Sequence, residues 1–185
     1  MFLTDTGQQA PNGLPVFFHE QDDAVLKGIE LSAYMLLRDN LDLSLAFDAL
    51  DSENRASGEE LPLQPADQLR AELGWYPGPL GPLSNTALRL TVRHTWGRDA
   101  VPGEPFVQFN NNPVFGSADT DSYTVADLSF GFDVRSWTDN PLSVMFDIRN
   151  IANTAYRDFL YTYKAYALNP GRDIRLTVRL PFASR

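Results

Sequence analysis

Gly171–Phe182 reads GRDIRLTVRLPF, and its alternation decides the fold class. Ile174, Leu176, Val178, Leu180 and Phe182 are apolar, whereas Asp173, Arg175, Thr177 and Arg179 are polar. Successive side chains of a strand point to opposite faces, so a strand here has one apolar side and one wet side. A soluble sandwich would turn the apolar side to a second sheet. A membrane-spanning barrel would turn it to lipid and leave the arginines inside.

The same alternation recurs upstream. Ile29, Leu31, Ala33, Met35 and Leu37 stand against Glu30, Ser32, Tyr34 and Arg38; Leu41, Leu43, Leu45, Phe47 and Ala49 stand against Asp42, Ser44 and Asp48, with Arg38, Asp39 and Asn40 as a tight turn between. Leu69, Ala71, Leu73 and Trp75 continue it, then Leu88, Leu90, Val92, His94 and Trp96 against Arg89, Thr91 and Arg93. Leu128, Phe130, Phe132 and Val134 alternate with Ser129, Gly131, Asp133 and Arg135, and Leu142, Val144, Phe146 and Ile148 with Ser143, Asp147 and Arg149. The pattern predicts an all-β chain, an antiparallel up-and-down meander of about seven strands, each near the ~10 residues that cross a bilayer when tilted.

Connections have a rhythm of their own. Those after Leu37, Trp75 and Arg135 are short or turn-rich, whereas Asp51–Pro65, Arg98–Asp121 and Arg157–Gly171 are long. A barrel with short periplasmic turns and long extracellular loops predicts this, and a sandwich has no reason to put every long loop at one end. Gly28 is expected to let its strand bend or bulge, Pro62 and Pro65 to lie in the loop before a strand, and Gly171 to make the turn that opens the last strand. Phe47, Trp75, Tyr76, Trp96, Tyr123, Trp137, Tyr156 and Phe182 fall near strand ends, where an interfacial girdle would need them.

With 43% hydrophobic and 21% charged residues among 185, the composition is that of a folded chain. No apolar run is long enough for a membrane-spanning helix, so any crossing is by strands. Cysteine is absent, which removes disulfides and thiolate chemistry. A net charge of -9 argues against nucleic acid as a partner. The opening MFLTDTGQQAPNG has neither the basic start nor the apolar core of a secretory signal.

Five stretches in order carry a resemblance. They are LKGIELSA (Leu26–Ala33), ELPLQPADQLRAEL (Glu60–Leu73), DSYTVADLSFGF (Asp121–Phe132), IRNIANTAYRDF (Ile148–Phe159) and the closing GRDIRLTVRLPF. Together they resemble the C-terminal part of the barrel of TonB-dependent outer-membrane receptors. The resemblance implies that residues 24–185 are a section of a larger transmembrane β-barrel in the outer membrane of a Gram-negative bacterium, with residues 1–23 a preceding loop or strand remnant. The family's plug domain, TonB-contacting box and signal peptide are N-terminal features without a counterpart in these residues, so the expectation is a piece of a longer receptor. By the same resemblance its role is TonB-energised uptake of a ferric siderophore or similar nutrient. The implied partners are outer-membrane lipid, the substrate, the plug domain and remaining barrel strands, and the TonB system through the N-terminal region. The rival reading is a soluble or periplasmic antiparallel β-barrel or sheet that binds a ligand.

Catalysis finds no support in the motifs: there is no serine-histidine-aspartate order, phosphate loop or H-E-x-x-H, and neither a cofactor nor a metal site is expected. Arg89, Arg93, Arg135, Arg149, Arg175 and Arg179 occupy the polar faces beside Glu72, Asp133 and Asp147. Mutual neutralisation that props the wall is the favoured reading, and passage of an anionic ferric complex the other. Phe106, Gln108, Phe109, Asn110 and Asn111 in one long loop, with Tyr161, Tyr163 and Tyr166 in another, are the candidate ligand contacts, since such residues suit an aromatic, hydrogen-bonding chelate.

Overall fold

A computed structural model describes residues 2–20, 23–61, 64–100, 118–134, 141–161 and 163–180, and every regular element among them is a strand. β1 (Phe2–Gln9) and β2 (Pro15–Glu20) pair as a hairpin. β3 (Ala24–Arg38), β4 (Leu41–Asn54), β5 (Gln68–Trp75), β6 (Leu83–Thr95), β7 (Tyr123–Val134), β8 (Leu142–Arg149) and β9 (Asp173–Arg179) form one antiparallel sheet in sequence order. This is the up-and-down meander that the alternation predicts.

Register turns the alternation of single strands into two continuous faces. Met35, Leu43, Leu73, Leu90, Leu128, Ile148 and Ile174 are successive cross-strand partners, an unbroken apolar row across all seven strands. One residue along, on the opposite face, Asp42, Gly74, Arg89, Ser129, Asp147 and Arg175 are partners. The apolar face has no second layer over it among the described residues: Leu31 is 60% exposed and Leu176 65%. The step from Ile29 to Leu37 covers roughly 26 Å along the strand, or about 20 Å once tilted near 40°, close to a barrel's lipid-facing band. Beyond Ile29 the same face carries Lys27 opposite Asp51, so charge closes the band.

Two local expectations are corrected. At Gly28 the ladder runs without a break; a Cβ there would meet the Ala49 carbonyl oxygen at 3.1 Å and Leu50 at 3.3 Å, so the glycine serves close packing. Bulges fall instead between Leu36 and Arg38 and between Ser84 and Ala87. β6 begins at Leu83, five residues before the alternation becomes visible at Leu88, because Asn85 is left-handed (φ 51°) and the bulge breaks the period of two. The Thr86 hydroxyl donates to the Gly78 carbonyl and closes that turn.

The strand ends at Arg38, Trp75 and Val134 lie at one end of the sheet and those at Asn54, Thr95 and Arg149 at the other, so the connections fall into two alternating sets as the meander requires. Pro65 is in the second of these sets. Buried apolar residues are few among the described residues: Tyr123, Val125 and Phe159 gather at the long-loop end.

Candidate functional site

The β8–β9 connection folds back over the polar face, and asparagines hold it there. Asn150 and Asn153 take left-handed backbone (φ 50° and 55°), which asparagine tolerates better than most residues. The Asn150 amide donates to Asp127 Oδ1 at 2.7 Å, its Nδ2 donates to the Thr154 carbonyl at 2.9 Å, and its Oδ1 accepts the Thr154 amide at 2.8 Å. Asn153 Oδ1 accepts the Arg172 amide at 2.9 Å, and Asn169 Oδ1 the Asp158 amide at 2.8 Å. The motif IRNIANTAYRDF is thus a hydrogen-bonded corner, a role that its sequence hints at through asparagines clustered where a strand must stop.

Three long connections meet at Phe159, which is 2% exposed. Lys164 Nζ stands 3.4 Å from its ring centroid and the Arg98 guanidinium carbon 5.8 Å. Arg98 also donates to the Pro65 carbonyl and to Glu60 Oε2, each at 3.0 Å. Tyr123 donates to Asp158 Oδ2 at 2.9 Å and lies against Tyr156 with ring centroids 4.4 Å apart. Tyr123 and Tyr156 therefore do not belong to an interfacial girdle, because register puts Tyr123 on the polar face, opposite Thr95. Trp75 fits the girdle at the short-turn end of the apolar face; Phe47, His94 and Trp96 fit it at the other, with Phe47–Trp96 and His94–Trp96 centroids 5.9 and 4.7 Å apart. His94 Nδ1 is bonded to Thr124 Oγ1 at 2.9 Å, a structural contact.

Of the loop residues singled out from the sequence, Tyr161 and Tyr163 approach each other, with centroids 6.0 Å apart, and Tyr163 and Tyr166 are exposed. Phe106, Gln108, Phe109, Asn110 and Asn111 lie outside the described residues, as do Trp137, Phe182 and Arg135.

The remaining arginines divide by partner. Glu72 meets Arg89 Nε and Arg70 Nη2, both at 2.8 Å, and accepts the Thr91 hydroxyl at 3.3 Å. Arg70 was not among the arginines expected from the sequence, although the spacing of two puts it on the face of Glu72. Asp147 lies opposite Arg175 in register but accepts the Ser129 hydroxyl at 2.6 Å, and Asp133 accepts Asn85 Nδ2 at 2.7 Å. Arg175 stands 3.5 Å from Asp173. Arg179 is opposite Ser143, and Arg149 opposite Asp173. The Arg93 guanidinium lies 6.0 Å from the Tyr123 ring. Arg93, Arg149, Arg172 and Arg175 share a cleft of about 660 Å³.

The chain has likenesses both to a protein family and to solved structures. The family described as TonB dependent receptor-like, beta-barrel, matches residues 1–151. Among solved structures, the copper transporter OprC superposes with a TM-score of 0.66 at 19% identity, covering 85% of this chain and 23% of the transporter. The chain therefore spans less than a quarter of that protein, and the likeness concerns the fold. Among curated proteins no match is found.

Proposed function

The chain belongs to the TonB-dependent receptor-like β-barrel family, and from that premise we propose that it forms wall and outer loops of a receptor that takes up a ferric siderophore or similar scarce nutrient. Its place in the outer membrane follows from the family. The supporting observation is the apolar row from Met35 to Ile174 backed by the polar row from Asp42 to Arg175: one sheet meets lipid on one face and encloses water on the other.

In this reading residues 24–185 are the barrel section and residues 1–23 the piece that leads into it. β3 and β9 pair with further strands of the same receptor, a plug domain occupies the enclosed side, and TonB pulls on an N-terminal region. The 96–122 and 150–172 connections face the medium; Phe106, Gln108, Phe109, Asn110 and Asn111 from the first, and Tyr161, Tyr163 and Tyr166 from the second, contact the substrate. Arg135 and Arg179 belong to the interior charge network, together with the Arg89–Glu72 pair.

Copper, the cargo for which OprC is named, is the second substrate class. A chelate suits this chain better than a bare soft metal ion, because it has no cysteine, two histidines and three methionines. The test is uptake of labelled iron chelates and labelled copper by cells expressing the intact receptor, with and without TonB. Iron uptake that needs both proteins supports the proposal, whereas TonB-dependent uptake of copper alone transfers it to the second class.

A further inference from the structure

On the polar face, charge is settled very differently at two places. Around Glu72 two guanidiniums meet one carboxylate at 2.8 Å, and the pairing accounts for both. In the cleft beneath the β8–β9 corner four arginines, Arg93, Arg149, Arg172 and Arg175, share the lining with the carboxylates of Asp127 and Asp173. Asp127 is committed to the Asn150 amide at 2.7 Å, and Asp173 stands 3.5 Å from Arg175. Among the described residues none of Arg93, Arg149 and Arg172 forms an ion pair, and Arg93 Nε is buried without a hydrogen-bond partner.

Such an arrangement is costly in itself. Like charges repel, and a buried guanidinium nitrogen that has left water needs an acceptor. It also runs against the chain's overall charge of -9, which would more readily furnish carboxylates than withhold them. Backbone bonds fix where these side chains leave the chain: Asn153 holds the Arg172 amide, and Asn150 ties the end of β8 to Asp127. The cleft holds cation in excess.

We infer that this cleft is a binding site for a small, multiply charged anion whose carboxylate or phosphate groups complete the guanidiniums of Arg93, Arg149 and Arg172. Guanidinium forks match the two oxygens of a carboxylate or phosphate, and three of them call for more than one such group. A volume of about 660 Å³ suits a metal chelate of that chemistry. The Tyr156 ring, also in the lining, adds an aromatic wall. This rests on the receptor reading above and narrows its cargo to the anionic carboxylate type.

The test uses the intact receptor carrying this sequence, in outer-membrane vesicles, with ferric citrate as the anionic probe and a neutral trihydroxamate iron chelate as control. Ferric citrate should bind, more weakly as salt rises, and the double variant Arg93→Gln/Arg149→Gln should weaken it by roughly ten-fold or more, the loss expected for a charge-assisted bond. Arg172→Gln, which keeps the backbone amide on Asn153 and lies outside the strands, should act in the same direction. Arg70→Gln, on the same face but outside the cleft, should not. Heat-modifiable migration on gels verifies that each barrel has assembled. Equal binding by wild type and the cleft variants overturns the site, as does an assembled wild type that binds the neutral chelate and not ferric citrate. If ferric citrate fails to bind while the double variant loses thermal stability, carboxylates of polypeptide inside the barrel fill the cleft, and the inference is likewise overturned. Failure of the receptor reading is seen separately, as uptake of every chelate that is indifferent to TonB.

Discussion

Asn153 Oδ1 lies 2.8 Å from the point where Gly171 would carry a Cβ. Glycine is needed there because a side-chain oxygen that holds the Arg172 amide already fills the space, and not for the turn that the sequence suggests. Gly97 is confined differently: its Cβ would meet the Thr120 carbonyl oxygen at 2.8 Å and the Ser122 nitrogen at 3.1 Å, both backbone. A side-chain end can swing aside and a bridged backbone cannot. Gly171→Ala should cost about 1 kcal/mol, one net hydrogen bond, and Gly97→Ala about 1–3 kcal/mol through overpacking. Urea midpoints of the detergent-solubilised receptor give the order, and a reversed order contradicts it.

The two faces of β9 should respond in opposite ways. Arginine at Leu176 or Val178 places a charge in lipid at a cost of roughly 2–4 kcal/mol and should block barrel assembly, whereas Thr177→Ala on the other face should be mild. Equal amounts of assembled barrel for all three would mean that the apolar face does not meet lipid.

Orientation can be read by labelling, since the chain has no cysteine of its own. Ser57→Cys, in a long connection, should react on whole cells with a bulky impermeant maleimide; Asp39→Cys, in a tight turn at the opposite end, should react only after the outer membrane is opened. The opposite labelling pattern inverts the topology.

Glu72 tests how far a half-exposed charge cluster supports the wall. Arg70 and Arg89 side chains are 55% and 50% exposed, so Glu72→Gln should lower stability by less than about 1 kcal/mol, and high salt should shrink the difference. A loss of several kcal/mol would show a buried, unscreened network instead.

At Phe159, replacement by leucine keeps the apolar bulk but removes the ring beneath Lys164 and Arg98. The change should cost about 1–2 kcal/mol and make the long connections more sensitive to protease on intact cells. Unchanged cleavage would show that the connections hold together without it.

Legibility in the sequence followed the range of the interactions. Alternation from Leu41 to Ala49 or Ile174 to Leu180 is a local property that lipid on one side enforces, so the strands and their order could be read directly. The Asn85 bulge hid the first turn of β6, because one left-handed residue cancels a period of two. Arginine positions were visible but their partners were not: Arg89 finds Glu72 on a neighbouring strand, Arg93 finds Tyr123 on another, and such pairs exist only once register is set. The asparagine corner was legible as a motif and illegible as chemistry, since Asn150, at the end of β8, joins Asp127 on the neighbouring β7.

The continuous row from Met35 to Ile174 also constrains how the gene can change length. Because the faces alternate strictly, inserting or deleting one codon inside a strand exchanges the lipid side and the enclosed side for every residue up to the next turn, unless a bulge absorbs it. Changes of two codons preserve the faces and merely slide the partners. Connections such as 55–67 or 150–172 carry no such parity, so single-codon indels in this lineage should concentrate there, and those that survive within strands should coincide with bulges like the ones at Leu36–Arg38 and Ser84–Ala87.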